Sequence, residues 1–460
     1  MYRIDFNKFN NSFFDKAGFK NRVEVEYMGL PYTLTTTEKI INLKNVIGEF
    51  IRIILQKKLK DISTIDEVIE QALSNISLEY NLKSNLRSIL QELFIEDTEK
   101  KEMCIFNTKA YAYVPCNSSE KKIAKFLYDI LVDEQIEEKT KSTFDGKSTN
   151  ILYEIIFASL TELTDDEPRN KEYVNSVCYV KERFKEDFIY LLKNQKLLHE
   201  NLNRFLSFYY FFYVSQLIIK TSQMFKGDGE RVEEVYFAIN NEKLSLSRIC
   251  YEKGWSNLVI KSEKIASHMV TLNLINTSND ENKYDYISIK NMIENMNDSD
   301  KSYFYNDIEQ LTDEYIKNIK DIELTELKKV QNKNNSEDIF GRIATLYDLV
   351  DYQFVKSKRS RSANAYSDSF KLFGIKNYCK SRGNLGNNLY LVEENLLFLT
   401  KLILKDNEKL KLKIMFEEFN MRGVFFDKDT KKHLISYYES INILDKKSDS
   451  GDAQYVKNSF

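Results

Sequence analysis

The sequence predicts a mainly α-helical protein: a helical body followed by a C-terminal winged-helix-like module of three helices plus a β-hairpin. Three observations carry that expectation. The 460 residues include only three prolines and thirteen glycines, the residues that most often break helices. The stretch 205–219 has no Gly, no Pro and no charge, and is apolar on every side. It cannot be a surface helix with one wet face, and it falls short of the ~20 residues that a bilayer span needs. It therefore predicts a helix buried on all sides, its Tyr hydroxyls reaching partners at the rim. Near the C-terminus, three helical patterns precede two short strand-like runs around a Ser/Asp/Gly turn.

At this length two or three domains are expected. An apolar content of 42%, with 13% aromatic, belongs to a globular chain. The alternation Val23-Glu24-Val25-Glu26-Tyr27 predicts a short strand, turned by Gly29-Leu30-Pro31. Helical spacing of apolar residues predicts helices over 38–58, 64–76, 82–96 and 119–138. The polar run 142–150 predicts a loop, and helices resume over 151–163 and 170–193. Lys226-Gly227-Asp228-Gly229 ends the apolar helix. A strand over 232–239 follows, then helices over 244–250 and 258–274. The Asn-, Asp- and Ser-rich stretch 276–300 marks a boundary. A charge-laced helix over 308–330 and a polar linker over 331–338 read as a solvated connector. The domains expected are a helical body (1–275), a charged helical connector (276–340), and a basic segment plus the winged-helix-like domain (341–460).

Most catalytic signatures fail on their own chemistry. Gly146-Lys147-Ser148-Thr149 lacks the second glycine of a phosphate cradle, since position 141 is Lys, and no buried strand precedes it. Leu131-Val132-Asp133-Glu134 looks like the acidic end of an ATPase strand but lies in a helical pattern. His199, His268 and His433 sit far apart, and the five cysteines form no C-x-x-C pair, so zinc has no ligand set. Asn241-Glu242-Lys243 after a strand is faintly like the edge of a Mg²⁺ nuclease, without an earlier partner acid. Widely spaced cysteines and a start with no apolar h-region predict a reducing, cytoplasmic setting and no membrane segment. No catalytic residue, cofactor or metal is assigned.

Charge is distributed unevenly. From residue 340 onward the chain has 21 Lys and Arg against 15 Asp and Glu, so a net −3 overall leaves +6 there and −9 elsewhere. Within 355–390 there are eight cations, including Lys356, Lys358, Arg359, Arg361, Lys380 and Arg382, and one acid, Asp368. Tyr366, Phe370, Phe373 and Tyr378 interleave with them, and Gly383 and Gly386 allow a backbone to approach phosphate. These residues predict a nucleic-acid contact. The three helices of the C-terminal module are expected over 393–404, 408–420 and 431–441, with Asp427, Asp429 or Thr430 capping the third. That helix would offer Lys431, Lys432 and Ser436 to a DNA groove, although the hairpin tip is acidic.

Arg422-Gly423-Val424-Phe425-Phe426-Asp427 and Lys446-Lys447-Ser448-Asp449-Ser450-Gly451-Asp452-Ala453-Gln454-Tyr455-Val456 resemble the C-terminus of the DptG (DndG) family, components of DNA phosphorothioation-dependent restriction systems. The run from Phe208 to Leu217, Ser245-Leu246-Ser247-Arg248 with Gly254-Trp255, and Arg382-Gly383 fit the same pattern. The similarity spans 100–274 and 340–460. It implies a cytoplasmic subunit of an anti-phage complex. Its partners would be DptF-like and DptH-like subunits, which hold the ATPase and helicase-like functions, and DNA without backbone sulfur. The family has no established catalytic residues to carry over. The expectation is a non-enzymatic, DNA-contacting, partner-bridging subunit. The alternatives are a nuclease with a degenerate metal site and a protein scaffold without DNA contact.

Overall fold

In a computed structural model, the residues described are 2–15, 18–19, 42–60, 63–97, 102–145, 150–240, 242–278, 280, 282–333, 338–446 and 454–459. The expected strand over 23–27 and its turn lie outside them, as do Gly146 to Thr149 and Asn241. The mainly α-helical expectation holds: the described residues form twenty α-helices, and no strand exceeds five residues. The chain makes two compact units, 42–171 with 181–210, and 1–41 with 172–180 and 211–460. The apolar stretch belongs to one long helix, Gln195–Gln223, with residues up to Tyr210 in the smaller unit and those from Phe211 in the larger.

In the smaller unit the Lys44–Leu55 helix places Val46, Ile47, Phe50, Ile51 and Ile54 on one buried face. Burying each such side chain is worth about 1.5–3 kcal/mol. Gly48 shares that face because backbone passes close over it: a Cβ there would lie 2.6 Å from the Val114 carbonyl oxygen. The helix expected over 119–138 is two, Ser118–Leu131 and Glu134–Asp145. Asp133 causes the break, its carboxylate accepting from the Ile136 amide at 3.0 Å as a helix cap does. Phe184 lies 5.2 Å from Phe188 and Phe205 and 5.1 Å from Tyr209, ring centre to ring centre. The Tyr209 hydroxyl donates to Asp187 at 2.7 Å, both fully buried, so its partner is in the core and not at a rim.

In the larger unit Phe211 stacks on Phe370 at 5.7 Å and lies 4.4 Å from the Tyr378 ring. Helix Ile265–Ile275 is buried at every position, and Ile339–Lys356 and Ser360–Tyr378 pack on it. The stretch expected as a boundary contains helix Tyr286–Asn295. The expected connector helix is two, Asp298–Asn318 and Leu324–Lys333. Phe304, Ile308, Leu311 and Tyr315 recur at helical spacing and are fully buried, and the Tyr315 hydroxyl donates to Gln353 at 2.7 Å. Those residues make a packed layer; the charges that suggested a solvated connector occupy the other face.

The strand expected over 232–239 reduces to Ala238–Ile239, parallel to Asn387–Leu391, which pairs antiparallel with Cys379–Ser381. Beyond it, helices Glu393–Leu404, Leu412–Met421 and Lys428–Ser440 precede the antiparallel strands Leu444–Lys446 and Gln454–Lys457. A further strand, Lys409–Lys411, pairs with the other edge of Gln454–Lys457. The hairpin tip, 447–453, is outside the described residues. The Arg422-to-Asp427 turn has a steric basis. Gly423 holds φ +71°, and a Cβ there would lie 2.3 Å from the Phe212 ring. Gly423→Ala adds left-handed strain to a clash and should lower stability by about 2–4 kcal/mol. A urea midpoint equal to the parent's would show that the turn relaxes freely.

Candidate nucleic-acid interface

The basic segment is organised by helix Ser360–Tyr378, whose 19 residues make a rod of about 28 Å. Tyr366, Phe370 and Phe373 fall on one helical face, and with Tyr378 they are all buried. The aromatic residues interleaved with the cations are core residues, and the face left outward is polar. Trp255 fixes the helix from inside: it stacks on Phe370 at 5.8 Å, and a Cβ on Gly374 would meet its ring at 2.3 Å.

The predicted cations divide between the two ends of this rod. At the start, Lys356, Lys358 and Arg361 are exposed, while the half-buried Arg359 donates its Nε to Asp321 at 2.6 Å. At the far end, Lys380 is exposed and Arg382 half-buried. Arg382 donates its Nε to the Tyr390 hydroxyl at 3.0 Å, and its guanidinium lies 5.0 Å from that ring's centre. Lys380 Nζ stands 5.9 Å from the same ring. Gly383 and Gly386, at φ +56° and +65°, make the following hairpin turn, with open space where each Cβ would be. Among the described residues, no carboxylate forms an ion pair with Lys356, Lys358, Arg361, Lys380 or Arg382. The one acid of the segment, Asp368, is taken by Lys371 at 3.0 Å. Lys431 and Lys432 lie apart in sequence on the Lys428–Ser440 helix, Lys431 with its Nζ 5.2 Å from the Phe416 ring centre and Lys432 3.9 Å from Asp429.

The structure assembles a second polar constellation that the sequence did not reveal. Arg248 donates to both Asp427 oxygens, at 3.0 and 2.5 Å, and to Thr430 at 2.8 Å, and pairs with Glu242 at 2.8 Å. Asp427 also caps the last helix, accepting from the Thr430 amide at 2.9 Å. Glu242 accepts from the Ile239 amide at 2.9 Å and the Thr430 hydroxyl at 3.0 Å. Glu242, Asp427 and Thr430 are buried. Both Glu242 oxygens are therefore engaged in fastening the module. Burial raises the Asp427 pKa, but the bonds from Arg248 and the Thr430 amide outweigh it and hold the carboxyl below the usual range. Burial pushes the neighbouring Cys250 thiol up to about 12, which suppresses its nucleophilic form. Arg248 and Asp427 stand 179 residues apart, so no local spacing announces the pair.

Elsewhere, Asp133 is committed to its cap and to Lys185 at 2.7 Å. All five cysteines are free thiols. Among the described residues, no helix is long and apolar enough to cross a membrane. Searches against protein-family models and against curated proteins return no match.

Proposed function

We propose that this chain is a non-catalytic, cytoplasmic subunit of a bacterial anti-phage DNA restriction complex of the phosphorothioation-dependent kind, contacting DNA and bridging DptF-like and DptH-like partners. The observation that carries the DNA contact is the set of unpaired cations at both ends of a 28 Å rod. Cations without carboxylate partners are free to neutralise phosphate, and the rod's length matches about eight base pairs at 3.4 Å each. Such contacts position a duplex and do not read its sequence. The partner-bridging role rests on the resemblance of the tail to DptG. The tail's element order, helix–strand–helix–helix–strand–strand, supports reading it as a winged helix. In this reading Lys428–Ser440 is the groove-facing helix, its N-terminal end fastened by Arg248.

Binding should be largely indifferent to sequence and steep in salt. Each neutralised phosphate contributes about −0.9 to the slope of log K against log salt. Lys358→Ala, Arg361→Ala and Lys380→Ala together should flatten that slope by about 2.7 if each meets one phosphate. All three are exposed and unpaired, so the fold should not change. Lys431→Ala and Lys432→Ala should flatten it further when the last helix lies in a groove. An unaltered slope in the triple variant, with partner binding intact, would favour the scaffold reading. Mg²⁺-dependent cleavage of DNA by the purified chain would favour the nuclease.

A further inference from the structure

The smaller unit contains a pocket of about 370 Å³, within the range of about 300–1,000 Å³ usual for small-molecule sites. It forms where the end of helix Lys44–Leu55, the 3₁₀ helix Thr108–Tyr113 and helices Glu134–Asp145 and Ile151–Phe157 meet. Three aromatic residues, Tyr113, Phe144 and Phe157, and three lysines, Lys57, Lys109 and Lys141, line it. The aromatic wall is preformed: Phe157 lies 5.1 Å from Phe106 and 6.2 Å from Tyr113, ring centre to ring centre.

We propose that this pocket binds a nucleotide, with the base against the aromatic wall and the phosphate on Lys57 and Lys141. Aromatic faces take any base by stacking. Among the described residues, two of the lysines have only exchangeable carboxylate partners. Lys57 pairs with Asp165, whose side chain is 91% exposed, and Lys141 stands 3.8 Å from Glu137. The first pair is exposed and the second is long, so both are weak and a phosphate competes for both amines. Glu154 also lines the pocket, and its carboxylate accepts from the exocyclic amine of adenine, guanine or cytosine. Position 141, where a P-loop would need glycine, thus supplies a lysine to the site instead. The same chemistry is offered by a free nucleotide and by one within a single strand.

Calorimetry on the full chain separates these sources. AMP should bind saturably, one per chain, with adenosine, inorganic phosphate and UMP each weaker by about tenfold or more. Lys57→Gln with Lys141→Gln should weaken AMP by about tenfold and leave the melting temperature unchanged. If a short oligodeoxyadenylate binds more tightly than AMP and is weakened by the same pair, the strand is the source; the reverse order assigns the free nucleotide. No heat from AMP up to about 5 mM, equal affinity for AMP and adenosine, or unchanged affinity in the double variant overturns the site. The triple substitution in the basic segment should leave AMP binding intact, so this site and the DNA contact fail separately.

Discussion

Arg248→Met should destabilise the larger unit by about 3–5 kcal/mol, because it leaves two buried carboxylates without their cation. The guanidinium serves Asp427, Thr430 and Glu242 at once, and its side chain is only 10% exposed. Methionine keeps much of the volume, so the loss is electrostatic more than steric. The chain's one tryptophan, Trp255, is buried in the larger unit and reports that unit's unfolding by fluorescence. Pairing Arg248→Met with Asp427→Asn should recover part of the loss, since the amide carries no buried charge. The same geometry sets a pH dependence. A carboxyl whose pKa is lowered on folding contributes stability above its ordinary value, near 3.9, and loses it as pH falls. The parent should therefore weaken steeply below about pH 4, and Asp427→Asn should do so less. A fluorescence transition for Arg248→Met within about 1 kcal/mol of the parent would show that water replaces the cation at little cost.

The sequence announced local features and concealed distant ones. The helix through 205–219, the cap at Asp427 and the three C-terminal helices were legible because each depends on neighbours within a turn or two. Strand Lys409–Lys411 was not, because three residues are too few to show an alternation. The layer under Phe304, Ile308, Leu311 and Tyr315 was obscured by charges on the opposite face of the same helices. Aromatic residues between cations counted toward a nucleic-acid contact, yet Tyr366, Phe370 and Phe373 share a face, and that spacing is the mark of packing. Composition located the unpaired cations but not their separation, which comes from the helix between them. The Arg248 network, joined across 179 residues, had no sequence signal at all.

Phe211→Ala should cost about 3–5 kcal/mol, the sum of lost burial and the cavity left behind. Phe211 is 2% exposed and lies against three rings from two other segments: Phe370 and Tyr378 of the Ser360–Tyr378 helix, and Phe237. The site has little means of collapse. Trp255 already crowds Gly374 beside it, so the Ser360–Tyr378 helix cannot slide inward to fill the void. Phe211→Leu keeps more of the volume and should cost less, which separates the cavity from a general intolerance of change at this position. The loss should appear in Trp255 fluorescence, because the tryptophan stacks on Phe370, itself stacked on Phe211. It should also loosen the rod that spaces the cations. In the proposed DNA contact, at a temperature where the variant remains folded, its salt slope should stay near the parent's while affinity falls, since the charges persist but their spacing blurs. A melting transition identical to the parent's would place Phe211 outside the core and remove the rigid support from the basic helix.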